Sequence, residues 1–501
     1  MQSLLKILLL PFTTIAAAMG WLGRASVATR IAWIVALFQF VVVALAVSVV
    51  LGAGDRAVLQ SWWSPGKALA LVLLLVLVPL LVYQAARLWL EHQGGRWPDI
   101  AAAWSAAVDE LSRQQISLTD SPLFIVLGSD GGELERALFA EPPTPIVVQQ
   151  SPPGGGPLHI FALRDAIFVC LSGAGQTALS AASVRVAMAD GVQAWSEPLS
   201  GASPEAVADH SHSGVDQEAD ALAGAGQPAV RSPRPLRSAK ERREATDRLE
   251  SACDQLRQAR IPWAAINGVV VLLPLQIDRE ADADAASLGQ AVGEDLATIT
   301  RVLGVRAPVT LVAGVLQDEP AIDELLSRLD AGNRSAACGQ PFPPGLPPTP
   351  EHLHAVAFNA SGLLNDRLAE LLLDPRRISK QPANRHLLAM LGRLRLHIST
   401  QIDRVLQQAF SPDLHGGVDG RRGVLPLLAG CYVASISGNP SRRAYVRGLL
   451  DRVVQMQGEL DWTDESLQAE AWAVRMSRVL FAAAGVMIVT LVAIVWWRVS
   501  R

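Results

Sequence analysis

Cysteine is scarce in this chain. The four residues, Cys170, Cys253, Cys338 and Cys431, are scattered through 501 positions with no CxxC spacing. That pattern argues against a disulfide framework or a cysteine-ligated metal, and leaves buried free thiols as the expectation. Excess basic charge is also missing. Lysine and arginine number 43 against 47 acids, a formal net charge of −4, so there is no electrostatic footprint for nucleic acid. His210, His212, Asp209 and Asp216 fall in a polar segment with no scaffold to hold a metal. His386 and His397 fall in helical sequence and are expected at a surface or between helices.

Apolar residues, by contrast, are abundant at half of the chain. Three runs account for this: 31–53, 68–90 and 479–497. Each is about as long as a helix that crosses a bilayer, which takes about 20 residues. Pro79 inside the second is tolerable in such a helix. Trp62, Trp63, Trp89, Trp496 and Trp497 mark ends of these runs, as interfacial aromatics do. Three membrane-spanning helices are therefore expected. Lys6, Arg24 and Arg30 before the first, Arg87 and Arg96 after the second, and Arg475 and Arg478 before the third place the large middle region in the cytoplasm. Residues 1–30 read as an apolar, interfacial segment rather than a cleaved signal or a fourth span, because only Lys6 supplies a positive start and Pro11 breaks the run.

The middle region alternates β-rich and helical stretches. The β-rich runs are 123–128, 145–149, 165–171, 266–275, 307–315 and 354–360, several apolar throughout, as suits strands covered on both faces. Helices are expected at 101–111, 285–303 and 320–329. Residues 197–238 are small, polar and rich in Pro, Gly and Ser, the composition of a disordered insertion. A charged helix follows, with Leu249, Cys253 and Leu256 as its apolar stripe. From about Ser361 the pattern is helical, with Leu387, Leu391, Leu394, Ile398 and Ile402 at spacings of three and four.

One motif stands out: "SPLFIVLGSDGGELERALF", Ser121 to Phe139. An apolar run ends at Gly128 in a glycine-rich turn before a helix, the outline of a phosphate-binding loop. A working loop follows GxxxxGK[ST]: backbone N–H groups wrap the phosphates, the lysine neutralises them and the hydroxyl holds magnesium. Here Gly128, Gly131 and Gly132 can form the turn, but the second motif glycine is Glu133, the lysine place is Leu134 and the hydroxyl place is Glu135. Asp130, Glu133 and Glu135 put acids where polyphosphate would lie, each close like-charge pair opposing it by roughly 1 kcal/mol or more.

The ordered set of local matches resembles the IcmF/TssM family, the inner-membrane scaffold subunit of type VI secretion systems and their type IVB relatives. "SPLFIVLGSDGG" resembles the family's "LPWYLVLGPPGSGKT". "AAINGVVVLLPL", Ala264 to Leu275, resembles "RPINGVLVTVS", and "LGVRAPVTLVAGV", Leu303 to Val315, resembles "LGVRFPVYVLVTKCD". "LLAGCYVASISG", Leu427 to Gly438, resembles "LRGVYFTSG", and "YVRGLLDRVV", Tyr445 to Val454, resembles "FVRDLFEKVI". The departures matter as much. The family's "DTAG" falls on Leu171 to Ala174, without the magnesium-linked aspartate. "TKCD" falls on Ala313, Gly314, Val315 and Leu316, without its lysine and aspartate.

The resemblance implies a membrane-anchored α/β fold: a degenerate P-loop GTPase-like parallel-sheet domain at 97–196 and 239–360, interrupted by the disordered insertion 197–238, then a helical subdomain at 361–475, with three transmembrane helices. It implies a non-catalytic inner-membrane scaffold of a type VI secretion-like apparatus, its pseudo-GTPase domain offering docking surfaces in the cytoplasm. The implied partners are other inner-membrane and baseplate subunits, in a homo- or hetero-oligomer, with no nucleic acid, no cofactor, no metal and no catalytic residue. The family continues past the third span into a periplasmic part; if Arg501 is a natural end, that bridging role is expected to be absent or on another polypeptide. Two alternatives stand beside this: a regulatory nucleotide-binding membrane protein with an altered loop, and a membrane-anchored interaction module unrelated to secretion.

Overall fold

The computed structural model describes residues 35, 36, 38, 39, 43, 77–85, 97–129, 131–183, 238–275, 282–314, 320–373, 381–412, 425–472, 474 and 475. The chain divides into two units, one formed by Trp97–Ser466 and the other by Met1–Arg96 with Leu467–Arg501.

Strands and helices in Trp97–Ser466 follow in chain order. Helix α1 (Pro98–Arg113) precedes β1 (Leu123–Leu127), α2 (Glu133–Leu138), β2 (Ile146–Ser151), β3 (His159–Leu163) and β4 (Ile167–Cys170). Next come α3 (Ala239–Arg260), β5 (Gly268–Leu273), α4 (Asp282–Leu303), β6 (Val305–Arg306), β7 (Pro308–Ala313), α5 (Pro320–Arg328), α6 (Ala331–Ser335) and β8 (Gly339–Pro341). Helices α7 (Pro350–Leu373), α8 (Gln381–Arg393) and α9 (Ser399–Ala409) precede β9 (Leu427–Val433), α10 (Val446–Gln455) and β10 (Asp461–Trp462). A π-helical segment, Leu394–Ile398, joins α8 to α9.

Eight strands form one sheet in the order β2-β3-β4-β1-β5-β7-β9-β8, and β10 pairs with β6 separately. The centre, β4-β1-β5-β7-β9, is parallel. The edges are antiparallel: β2 and β3 form a hairpin beside β4, and β8 lies against β9. Strands β1, β4, β5, β7 and β9 are buried along their whole length. Their continuous Val, Ile and Leu runs suit parallel strands covered on both faces. The fold is therefore mixed α/β with a large parallel sheet.

Local sequence explains the flanking helices. In α1, Pro98 opens the first turn, Asp99 and Arg113 complement the helix dipole, and Ile100, Ala103, Ala107 and Leu111 face inward. Ser238 and Glu241 close a capping box on α3, whose buried face includes Leu249, Cys253 and Leu256. Leu387, Leu394, Ile398 and Ile402 are buried along the α8–α9 run. All four cysteines are free and buried.

Three features differ from expectation. First, among the described residues no helix is long and apolar enough to cross a membrane, which corrects the expectation of a membrane-anchored fold with three spans. Of those ranges, only residues 35, 36, 38, 39, 43 and 77–85 are described; 77–85 is helical, and at 1.5 Å per residue it rises about 14 Å, half of a hydrocarbon core. The run 479–497, all of 1–30 and the proposed insertion 197–237, with its histidines and aspartates, lie outside the described residues. Second, residues 354–360 are helical rather than a strand, within α7. Its buried positions Leu353, Val356, Ala357, Ala360 and Leu364 recur at three and four, the helical period. Third, β3 and β9 are strands that periodicity alone does not separate from their surroundings, and β9 sits in sequence that otherwise reads as helical.

Helix α4 lies against α9 with almost no room between them: a Cβ added to Gly289 would come 2.7 Å from the Val405 carbonyl oxygen and 2.8 Å from Gln408 Cβ. Gly392 in α8 has nothing within 4 Å of that position. Gly289→Val should therefore wedge the helices apart and cost about 1–3 kcal/mol, while Gly392→Ala should be neutral or stabilise by up to about 1 kcal/mol. Thermal melting of the purified variants checks this; equal midpoints would contradict the close packing.

Candidate functional site

The loop that follows β1 lies at the carboxyl edge of the parallel sheet, where open α/β sheets take their ligands. Gly128 turns the chain with φ +78°, and a Cβ there would come 2.3 Å from the Leu272 carbonyl oxygen. Only glycine combines that positive φ with that approach. Gly131 is also left-handed at φ +74°, and its Cβ would meet Ser172 Oγ at 3.0 Å and His159 Cε1 at 3.2 Å. The Gly131 carbonyl accepts from Gln150 Nε2 at 3.3 Å. Gly132 stands at the N-cap of the six-residue helix α2 without a side-chain cap. The loop is thus pressed onto the β2–β3 hairpin and the segment after β4. Asp130 lies outside the described residues.

The three residues that replace the motif's glycine, lysine and hydroxyl go different ways. Glu133 is exposed and Leu134 packs, half-buried, on the core. Glu135 turns inward and is fully buried, with one carboxylate oxygen 2.9 Å from His159 Nδ1; neither side chain is exposed at all. Ser172 Oγ lies 3.4 Å from the same ring nitrogen and donates to the Gly156 carbonyl at 2.8 Å. His159 Nε2 and both Glu135 carboxylate oxygens have no hydrogen-bond partner among the described residues, so the Glu135 contact is a close approach of two ionisable groups without hydrogen-bond alignment, and Ser172 supplies the hydrogen bond to this ring. Cys170 stands opposite His159 across the β3–β4 pair. Burial pushes its thiol well up, and the nearby Glu135 charge adds to the rise, which disfavours the reactive thiolate. The sequence-based picture of three acids opposing polyphosphate is corrected in one respect: the Glu135 carboxylate points into the protein, onto an imidazole.

The segment Leu171–Ala174, at the "DTAG" position, leads into a helical run at 176–183. Its first N–H groups are satisfied from across the fold. Asp295, buried on α4, accepts the Gln176 N–H at 2.9 Å and the Thr177 N–H at 2.7 Å. Gly175, at φ +92°, allows that approach, because its Cβ would come 2.7 Å from Asp295 Oδ2. Gln176 also donates to Thr246 and Glu294. Burial pushes the Asp295 carboxyl up to about 6; the two backbone N–H donors oppose the rise, and Glu294 adds to it. At the "TKCD" position, Ala313 ends β7 and the Gly314 N–H donates to the Leu273 carbonyl; Val315 and Leu316 lie outside the described residues.

The structure therefore brings Gly128, Gly131, Gly132 and Glu135 together with three residues that sequence reasoning missed: His159, Ser172 and Asp295. Asp295 carried a signal, since it interrupts the apolar stripe of Leu288, Val292, Leu296 and Ile299 on α4. A carboxylate on a core-facing stripe needs a partner. Among the described residues no group of three or more His, Cys, Asp or Glu side chains is arranged to hold a metal ion. Asp295, Ser172 and Arg248 each hold backbone groups of the segments around the loop.

Asp295 gives the fold a pH dependence whose sign follows from the raised value. Unfolded, an aspartate titrates near 3.9; folded, this one titrates at about 6. Its neutral form is favoured by folding, so its contribution is full below about pH 4 and is lost as pH rises through 6, by roughly 3 kcal/mol in all. The stability difference between the unmodified chain and Asp295→Asn should shrink or reverse from pH 4 to pH 7, as read by denaturant unfolding. A difference that does not change with pH would contradict this.

Comparison with known proteins adds one match. Residues 242–443 fit the model of the IcmF-related N-terminal domain, a range that takes in most of α3, all of β5, β7 and β9, and the helices between them. It begins after the loop 128–135. No curated protein and no solved structure matches. Through the IcmF-related N-terminal domain at residues 242–443, the chain is related to the IcmF/TssM family.

Proposed function

We propose that the chain is a non-catalytic scaffold subunit of a type VI or type IVB secretion-like apparatus, in which a degenerate nucleotide loop serves folding and docking rather than catalysis. The family relationship supports the secretion half of this reading. One observation carries the non-catalytic half: the residue in the magnesium-holding hydroxyl position is Glu135, fully buried and paired with His159 at 2.9 Å.

The chemistry of phosphoryl transfer makes that observation informative. Such catalysis depends on positioning and on cations that neutralise the phosphates. Here the lysine place is Leu134, packed against the core. The place of the magnesium-linked aspartate is in Leu171–Ala174, which holds no acid. The sheet order, with a glycine turn after β1 and a second loop after β4 at one edge, supports descent from a nucleotide-binding fold. On this reading Gly128, Gly131, Gly132, Glu133, Leu134 and Glu135 are a relic that retains the turn and not the ligand. The domain would offer its surface to other inner-membrane and baseplate subunits, at the inner membrane where the family resides.

Two measurements test the reading. A fluorescent guanine-nucleotide analogue with magnesium should show no saturable binding to the purified chain at concentrations up to about 1 mM, equivalent to binding weaker than about 4 kcal/mol. Restoring Leu134→Lys and Glu135→Thr should not produce hydrolysis, because the aspartates of the other two motifs would still be missing. In cells, deleting the gene should abolish export by the associated apparatus, and Glu133→Ala, at an exposed position, should leave export intact. Micromolar magnesium-dependent binding, or export unaffected by the deletion, would overturn the corresponding half.

A further inference from the structure

We propose that the carboxyl edge of this sheet is a switch fixed permanently in its closed state, with the chain's own side chains in the place of a ligand. The inference rests on the reading that loop 128–135 takes no nucleotide, and goes further by stating which conformation the surrounding segments hold and what holds them.

In nucleotide switches, the segments around the terminal phosphate are ordered by contacts to that phosphate and its magnesium, and are released on hydrolysis. Here the corresponding segments are 152–158, before β3, and 171–177, after β4. They are bonded to each other directly. Ser172 Oγ donates to the Gly156 carbonyl at 2.8 Å, and the Gly173 N–H donates to the Pro157 carbonyl at 3.0 Å. The two backbones touch at Gly173, where a Cβ would come 2.7 Å from Pro157 Cα.

Both segments are also fastened to the rest of the fold. Arg248 Nε on α3 donates to the Gly173 carbonyl at 2.8 Å, and the Gly175 N–H donates to the Ala245 carbonyl at 3.1 Å. Asp295 holds the start of the helical run at 176. On the other side, His159 follows directly on 152–158 and pairs with Glu135 on α2, so the glycine loop is fastened to the hairpin from below. Each tie uses protein groups alone. The Asp295 carboxyl group caps the 176 helix start, and the His159 ring lies against Glu135 beside the loop. The surface that partners meet at this edge is thus constant and independent of nucleotide state.

Hydrogen exchange on the purified full chain tests this, with and without magnesium and a non-hydrolysable GTP analogue. The Gly173, Gly175, Gln176 and Thr177 amides, which donate to Pro157, Ala245 and Asp295, are expected to exchange slowly, at rates that nucleotide does not change. Segment 152–158 enters these ties through carbonyls and has proline at 152, 153 and 157, so its docking is read through the Gly173 amide, which donates to Pro157. Glu135→Ala should speed Gly173 exchange at least tenfold, with β7 and β9 unaffected. Ser172→Ala removes one tie without opening the core, and should also speed Gly173; it decides the question alone if Glu135→Ala does not fold. Rapid exchange of these amides in the unmodified chain, both with and without nucleotide, would overturn the lock while leaving the relic reading intact. A Gly173 rate unchanged by Ser172→Ala would show that the two segments are not coupled, and would also overturn it. Rapid exchange that slows only with nucleotide and magnesium would overturn both.

Discussion

The arrangement at the sheet's carboxyl edge depends on one contact, the buried pair between Glu135 and His159. Taking two ionisable side chains out of water is costly, and the cost is offset only where each finds a partner. Their partners here come from separate elements, α2 and β3. Helix α2 has six residues and no side-chain cap, too short to be stable by its own hydrogen bonds. Its position is set by what it buries: Ala137, Leu138 and the Glu135 carboxylate. The stacked rings of Phe139 and Phe161, with centroids 4.4 Å apart, seal the same junction from the apolar side. Loop, helix and hairpin therefore stand or fall together.

That constraint links the fold to the functional proposal. Open α/β sheets present loops at the carboxyl ends of their strands, and ligands ordinarily fill the crevice between them. In this chain the crevice is closed by Gly131 against Ser172 and His159, and by Asp295 against the 176 helix start. Two carboxylates have taken inward-facing roles. On the proposed scaffold reading, such an arrangement keeps the docking surface in one shape whatever the nucleotide level of the cell. The family match covers the β5-to-β9 half of the sheet; the 128–135 loop and the hairpin precede it.

How much was legible in the sequence follows from which interactions are local. Strands β1, β4, β5 and β7 could be read because burial on both faces makes them continuous apolar runs. The turn at Gly128 could be read because glycine at the end of such a run has a conformational reason. The run 354–360 misled because a short apolar stretch carries no period of its own, and the neighbouring Leu353 and Leu364 show its helical register only when the window is widened. Strand β3 follows a Pro/Gly-rich stretch that hides its start. The Glu135–His159 pair has no local signature: it joins a helix to a strand separated by β2 and a loop, and only the fold brings them together. Asp295 was visible as a carboxylate on an apolar stripe, but its target, a pair of backbone N–H groups far along the chain, was not. The apolar runs at 31–53, 68–90 and 479–497 were legible as composition, and among the described residues composition did not translate into a membrane-length helix.

The central claim is that the edge is held by a specific pair rather than by general burial. A double-mutant cycle measures this most directly: denaturant unfolding of the unmodified chain, Glu135→Gln, His159→Gln and the double variant. Each single change strands a buried partner, so the account expects each to be more costly than the pair removed together, with a coupling energy of about 1–3 kcal/mol. Additivity of the two single effects within about 0.5 kcal/mol would show that the two side chains do not depend on each other, and would contradict the account.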